Sequence, residues 1–517
     1  MSVSMVQSER VDVVLVGAGI SGIGIGRQLR VSHPDKSLVI LEARESVGGT
    51  WDLFRYPGIR SDSDLYTFGY SFKPWRDKDA IADAPKILHY LKETVTEAGL
   101  DEVIRFGHRV VHADWSSRSA LWTLDVESTD SETGETRRAQ IQTRWYINAT
   151  GYYRYDQGYS PAFEGEGEFA GDILHAQHWP EGYDYAGKRV VVIGSGATAF
   201  TLVPAMTSGD GSAAHVTQLQ RTPTYVSSAP RRDAVAGLLT KALGEDRAFS
   251  IIRKKNESLS RVFITAFKRY PTLAKRFLIS QVRKNLPQGF DVDTHFTPPY
   301  NPWDQRIALV PDGDYFEALK AGRASVETGR ITRITTSGIV LESGRELPAD
   351  LIVKATGLNL RLFGGTTMSV DGAAVHLPDT LAYRGMMLSG VPNMVMVIGY
   401  VLSTWTLKID LIWEQLDKLI RHLDSNGFGS VMPIADPTVK TRPLLDFGAG
   451  YVQRSVDELP RRGLTAPWLM VGTSWEDEAL LKSSSVFDPA LRYTVDPSLS
   501  ATPTSDRRPT TRRKANA

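Results

Sequence analysis

Two glycine-rich turns carry residue types at spacings that can do chemistry. The first reads Gly17-Ala18-Gly19-Ile20-Ser21-Gly22, and Glu42 stands 20 residues beyond Gly22. In such a turn Gly17 permits the tight bend, Gly19 lets backbone approach a pyrophosphate, and Gly22 lets helix and strand pack closely. The N–H groups at the start of the following helix, with their partial positive charge, would face the phosphates. Glu42 is at the distance expected of the acid that binds a ribose 2′-hydroxyl. The second turn reads Gly194-Ser195-Gly196-Ala197-Thr198-Ala199, and the strand after it ends in Gln220-Arg221-Thr222, with no acid. A carboxylate favours a free 2′-hydroxyl and repels a 2′-phosphate, whereas a guanidinium pairs with that phosphate through two hydrogen bonds. The first turn therefore suits FAD or NAD, and the second suits NADP.

The elements needed to position these turns are legible around them. Residues 11–16 (VDVVLV) form a short apolar, β-branched run, as in a strand buried on both faces of a parallel sheet. A helical stretch at 23–29 and a second strand at 38–41 complete the first unit. Residues 190–193 and 216–219 are the matching strands of the second. Ile87, Leu88, Leu91, Val95 and Ala98 fall on one stripe of a helix over 86–98. Residues 103–147 read as a run of strands with a polar turn near 128–135, and a long helix is expected near 403–423. Ala-Thr-Gly occurs at 149–151 and again at 355–357, and the two copies are read as crossings between domains.

Composition narrows the field. At 42% apolar and 23% charged residues the chain is an ordinary globular protein. With 60 basic residues against 59 acidic, no global field points to nucleic acid. No signal-peptide pattern or run of 18 apolar residues stands out, so the expected compartment is the cytoplasm. The chain has no cysteine, which excludes disulfides, thiolate metal sites and the dithiol used by many flavin disulfide reductases; no metal is expected. A chain with one FAD-like and one NADP-like unit is then a flavin enzyme reduced by NADPH, which either passes electrons to an acceptor or transfers oxygen.

Residues 169–180 (FAGDILHAQHWP) lie between the two units and match FxGxxxHxxxW followed by Pro, through Phe169, Gly171, His175 and Trp179. Gly48-Gly49-Thr50-Trp51, Tyr56-Pro57-Gly58 and Asp62 match a second pattern. On both, the chain resembles the Baeyer–Villiger monooxygenases, class B flavoproteins. Up to about residue 460 it is similar to their ethionamide-activating branch, notably over 49–66 (GTWDLFRYPGIRSDSDLY) and 300–309 (YNPWDQRIAL).

The resemblance implies an α/β fold of two Rossmann-like domains, for FAD and for NADP, with an inserted helical subdomain. The expected division is 1–155 and 351–495 for a split FAD domain, 156–230 and 296–350 for a split NADP domain, and 231–295 for the insertion. Residues 496–517 are expected to be a disordered tail. It implies FAD and NADPH as cofactors, molecular oxygen as co-substrate, and conversion of small apolar ketones to esters or lactones through a C4a-peroxyflavin, with sulfide oxidation as a side activity. An N- or S-oxygenating flavoprotein with little ketone activity, or a partner-dependent electron-transfer reductase, remains open from sequence.

By resemblance, Arg306 is the active-site cation and Asp62 the carboxylate that holds it. Thr50, Trp51 and Val110 are flavin-side positions, Ser21 touches the pyrophosphate, and Arg60 and Ser61 lie on the nicotinamide side. His175 is open to two readings, a general base or a linker residue that couples domain movement, with the second favoured; His178 is read as incidental. Trp405 is a candidate pocket wall with an equal claim to be a core residue. Many relatives carry Lys immediately before the active-site arginine; here the residue is Gln305, so NADP preference rests more heavily on Arg221. Residues 231–290 hold 14 Lys/Arg against 4 acids in a helical pattern, either a solvated basic face or an amphipathic surface for anionic lipid or a partner.

Overall fold

Strand Ser8–Val16 is an interior strand of the first sheet. The computed structural model describes residues 8–130, 133–445, 447–482 and 484–497. Within Ser8–Val16, Val13 and Leu15 enter one core and Val14 and Val16 the other, so alternation buries both faces of a parallel strand. Each fully buried aliphatic side chain contributes about 1.5–3 kcal/mol, enough to fix the register. The strand pairs in parallel with Leu38–Leu41 on one side and with Thr136–Asn148 on the other. Thr136–Asn148 is shared: its first half continues an antiparallel meander with Leu121–Thr129 and His108–Ser116, and its last residues pair with Met394–Met396. Residues from the 394–396 region thus return to the sheet begun at residue 8.

Helix Ile20–Ser32 follows the first strand and contains Gly22, Gly24 and Gly26. Three glycines cost helix propensity, about 1 kcal/mol each relative to alanine. Packing explains them. A Cβ on Gly22 would lie 1.8 Å from the Gly17 carbonyl oxygen, and one on Gly24 would lie 2.9 Å from Tyr70 and 3.0 Å from Ile409. The helix is therefore pressed against its own strand, the Tyr70 ring and the long helix Trp405–Asn426.

The second sheet is all parallel, in the order Ala324–Thr328, His215–Gln220, Arg189–Ile193, Leu351–Lys354, Asp172–His175. Val190 and Val192 face one core while Val191 and Ile193 face the other. Strand Leu351–Lys354 corrects the expected division. It pairs with Arg189–Ile193 and Asp172–His175, so the crossing back to the first sheet lies after Lys354, not before Leu351. Its run of four buried residues marks a doubly buried strand but carries no mark of which sheet holds it.

Helices Ala234–Leu243, Glu245–Arg269 and Pro271–Lys284 form the inserted layer. Of the tail expected over 496–517, only Asp496 and Pro497 fall within the described residues, and the Asp496 N–H donates to the Gly427 carbonyl at 2.9 Å. Among the described residues no helix is long and apolar enough to cross a membrane, and no cluster of three or more His, Asp or Glu could hold a metal ion.

Candidate functional site

Both glycine-rich turns open into one cavity of about 1410 Å³. Helix Ile20–Ser32 starts at Gly19 and helix Ala197–Met206 at Gly196, and neither start has a capping side chain or an acid in its first turn. The free N–H groups of both helix starts are thus available to an anion. A Cβ built on Gly196 would meet nothing within 4 Å, and one on Gly19 nothing nearer than 3.6 Å, so both turns leave room for a ligand. The residues present therefore fit two dinucleotides.

Glu42 is buried at the end of its strand and lines the cavity. Its carboxylate accepts the Ala18 N–H at 2.7 Å and the Arg44 N–H at 2.9 Å. Burial raises its pKa, and these two backbone donors oppose the shift. Arg44, which sequence reasoning passed over, ties the segment down by bonding Asp52 at 2.5 Å and the Gly49 carbonyl at 3.1 Å. Thr50, Trp51, Val110 and Ser21 line the same cavity. The Ser21 hydroxyl accepts from the Trp405 indole N–H at 2.7 Å, and Trp405 stacks on Tyr152 at 5.2 Å, so Trp405 is a cavity wall.

Arg306 and Asp62 meet in this cavity at 2.5 Å across 244 residues of sequence. Each side chain is about two-fifths accessible, 41% and 42%, and both line the cavity. Asp62 holds the arginine charged and raises its pKa further above the normal range. The turn carrying Arg306 is strained: Trp303 has φ of +73°, and its buried indole N–H finds no hydrogen-bond partner among the described residues. Such a conformation costs about 1–3 kcal/mol and persists only where the surroundings over-determine it. Tyr152, Tyr153 and Tyr451 surround the guanidinium, with Tyr152 and Tyr153 hydroxyls 3.3 Å apart. Burial pushes all three phenols well above their usual range. The tyrosine pair directly follows the first Ala-Thr-Gly, which was the available signal; Tyr451 had none.

The Tyr56-Pro57-Gly58 turn joins the two units. Gly58 has φ of +72°, and a Cβ there would lie 2.5 Å from the Ala205 side chain and 3.1 Å from the Thr201 carbonyl, both on the second turn's helix. Ser61 is buried and its hydroxyl accepts from the Ala82 N–H at 3.2 Å. Arg60 is nearly enclosed and forks onto Asp314, with the second bond at 3.3 Å. Both border the cavity, but the Arg60 charge is already neutralised.

Gly194, Ser195, Thr198, Arg221 and Thr222 line the cavity; Gly22 and Ala199 lie behind it in the packing. Arg221 is exposed and has no acidic partner among the described residues. Arg330 shares that situation and was missed. Gly329 N–H donates to the Gln220 carbonyl at 2.9 Å, which brings the ends of two adjacent strands, and the two arginines, to one rim. Gln305 also lines the cavity.

The FxGxxxHxxxW motif is not in the cavity lining. It forms the edge strand Asp172–His175 of the second sheet. A Cβ on Gly171 would lie 2.3 Å from the Asp350 carbonyl, Phe169 packs on the core beneath, and Trp179 meets Tyr183 edge-on at 5.9 Å. His175 Nδ1 accepts the Gln177 N–H at 3.1 Å, so Nε2 carries the proton and donates to the Tyr159 carbonyl at 3.2 Å. Burial lowers its pKa, with Lys354 and His178 adding to the effect. Both ring nitrogens are therefore committed to backbone.

Two dinucleotide cradles sharing one cavity, with a paired arginine inside it and no cysteine anywhere in the chain, define a two-nucleotide flavoprotein oxidoreductase. Residues 15–78 match the NAD(P)-binding Rossmann-like domain model, and residues 69–362 match the flavin-binding monooxygenase-like model. The FAD-containing monooxygenase EthA of Mycobacterium tuberculosis is 48% identical over 493 residues, covering 95% of this chain and 99% of that protein. EthA of Mycolicibacterium smegmatis is 46% identical, covering 94% and 98%. Among solved structures, a steroid monooxygenase bound to NADP superposes with a TM-score of 0.72 at 22% identity, covering 94% of this chain and all of the other. The chain belongs to the flavin-binding monooxygenase-like family, on its class B, EthA-like branch. It is an NADPH-dependent flavoprotein monooxygenase, with FAD and NADPH as cofactors.

Proposed function

We propose that this enzyme is a Baeyer–Villiger monooxygenase that converts apolar ketones to esters or lactones using NADPH and molecular oxygen. The observation that carries the reading is the Asp62–Arg306 pair, held inside the cavity that both nucleotide cradles share. Bound FAD would supply the redox chemistry, taking reducing equivalents from NADPH and activating molecular oxygen. Gly19, Ser21 and Glu42 would hold the FAD pyrophosphate and ribose, and Thr50, Trp51 and Val110 would line its ring. Gly194 to Thr198 would receive the NADPH pyrophosphate, with Ala199 packing the helix behind them, while Arg221 and Thr222, joined by Arg330, would receive its 2′-phosphate.

Arg306 supplies a charge that cannot be lost, aimed at negative charge developing on oxygen during the reaction. Asp62 fixes the direction of the guanidinium. Tyr152, Tyr153 and Tyr451, whose phenols stay neutral, stand beside that ion pair without adding a competing charge. Phe68, Phe363, Trp405 and Phe447 give the cavity apolar walls, which favour a substrate with little polarity beyond its carbonyl. Arg60 and Ser61 border the nicotinamide side. Phe169, Gly171, His175 and Trp179 act away from the chemistry, setting how the second unit hangs on its connection to the first.

Incubation with an aliphatic methyl ketone, NADPH and isotopically labelled oxygen gas tests the reading. An ester carrying one labelled atom is the expected product. With an alkyl aryl thioether added to the same reaction, ketone recovered unchanged beside labelled sulfoxide would assign the enzyme to S-oxygenation instead.

A further inference from the structure

The inserted helices concentrate exposed apolar surface. Sixteen large hydrophobic side chains stand exposed among the described residues, and ten of them fall within 234–284, about a tenth of the chain. Scattered exposed apolar residues are ordinary, whereas a contiguous patch marks a binding surface.

The root of helix Glu245–Arg269 is anchored. Ala248, Phe249 and Ile252 enter the main core. Arg253 donates to the carbonyls of Tyr66 and Thr67 at 3.3 and 3.0 Å and pairs with Asp410 at 3.2 Å. Beyond Glu257 most of the helix surface is exposed, and Ile264 is its one buried residue. Leu259, Val262, Phe263, Phe267 and Tyr270 recur at steps of three and four residues and so share one face. Leu273 and Phe277 continue that face after the turn into helix Pro271–Lys284. Ring contacts make it continuous: Phe263 meets Phe267 at 5.9 Å, and Phe267 meets Phe277 at 6.3 Å.

Cations frame this apolar tip. Arg261, Lys268, Arg269 and Arg276 are exposed, and none has an acidic partner among the described residues. The acids of the insertion lie at its root and are engaged there: Asp233 with Lys255, Glu245 with Arg76, and Glu257 with the Ser474 hydroxyl. Residues 231–290 carry 14 Lys/Arg against 4 acids in a chain whose net charge is only +1. A second copy presenting the same face would bring like charges together. An anionic bilayer meets both features at once, because aromatic and aliphatic side chains enter the acyl boundary while Lys and Arg stay among the headgroups.

We propose that the tip of the inserted helical pair, from Leu259 to Phe277, docks this enzyme reversibly on an anionic lipid surface. Full-length holoenzyme is floated with vesicles of phosphatidylcholine alone, and with vesicles containing roughly one third phosphatidylglycerol. The expected result is co-flotation with the anionic vesicles at low salt, release on raising salt, and little binding to phosphatidylcholine alone. Two paired variants separate the contributions: Arg261→Glu with Arg269→Glu, and Phe263→Ser with Phe277→Ser. Each is expected to lower partitioning about tenfold or more while FAD content and flavin reduction by NADPH stay unchanged. Absence of the holoenzyme from anionic vesicles at low salt overturns the proposal, as does undiminished flotation of both variants. So does a vesicle-indifferent oligomer that the phenylalanine variant dissociates, since a second copy then covers the tip. Binding is read without turnover, so the outcome is independent of the substrate.

Discussion

Arg306 and Asp62 form the smallest unit on which the proposed chemistry depends. Replacing Arg306 with Ala is expected to leave FAD bound and reducible while ester formation falls at least about 10²–10³-fold, the usual cost of removing a group that stabilises developing negative charge. Lys at that position keeps the charge but not the planar fork, so it restores only part of the rate. Product analysis decides the matter, and full activity in the Ala variant would remove Arg306 from its role. Arg221 makes a separate prediction. Arg221→Ala should raise KM for NADPH about tenfold or more and leave KM for NADH nearly unchanged, because only NADPH loses a charge-assisted bond. Arg330→Ala should shift the same preference by less, and calorimetric titration with 2′,5′-ADP reads both variants without turnover. Glycines 17, 19 and 22 with Glu42 were legible because their spacing is local. Arg330 and Tyr451 were not, since each reaches the cavity only through the pairing of distant segments.

The elements around the first turn are packed too closely to admit a side chain at Gly22. Helix Ile20–Ser32 begins two residues past Ala18 and is pressed onto Gly17, so Gly22→Ala must separate helix from strand. The expected outcome is protein that expresses poorly or purifies without bound flavin, read from the ratio of yellow chromophore to protein. His175 gives a pH-dependent prediction. Its folded pKa lies below the unfolded value of about 6.5, so between the two the unfolded chain holds the extra proton. Its neutral-form contribution is therefore complete above about pH 6.5 and is lost as pH falls toward the folded pKa. His175→Gln should lower the melting temperature at neutral pH, and its gap from the unsubstituted enzyme should narrow toward acid. A gap that stays constant with pH would show that folding does not lower the His175 pKa. Several strands and helices could be placed from period and composition alone. The expected helix over 86–98 is found at Ala84–Glu97, and that near 403–423 at Trp405–Asn426. Leu351–Lys354 shows the limit: four buried residues identify a strand, while its sheet depends on partners at 172–175 and 189–193.

Across the whole molecule, two cradles built on separate sheets must present their cofactors to one another at a fixed angle. Three contacts carry that angle near the cavity: Gly58 against Ala205, Asp62 with Arg306, and Arg60 with Asp314. The last is the most informative to disturb, because Arg60 is nearly enclosed and Asp314 opens the helix Asp314–Lys320 that packs on the second unit's core. Asp314→Asn keeps an oxygen acceptor for the guanidinium but removes the charge, which loosens the joint without emptying it. Neither nucleotide turn is touched, so FAD content and binding of 2′,5′-ADP should remain as before. Alignment across the joint should suffer, and electrons taken from NADPH would then reach oxygen without reaching substrate. The expected result is a lower yield of ester per NADPH consumed, with the shortfall recovered as hydrogen peroxide. Ester and peroxide measured in the same reaction against NADPH loss test this directly. If NADPH oxidation slows while the ester-to-NADPH ratio holds, the Arg60–Asp314 contact governs only how fast the cofactor binds, and the angle between the cradles is set elsewhere.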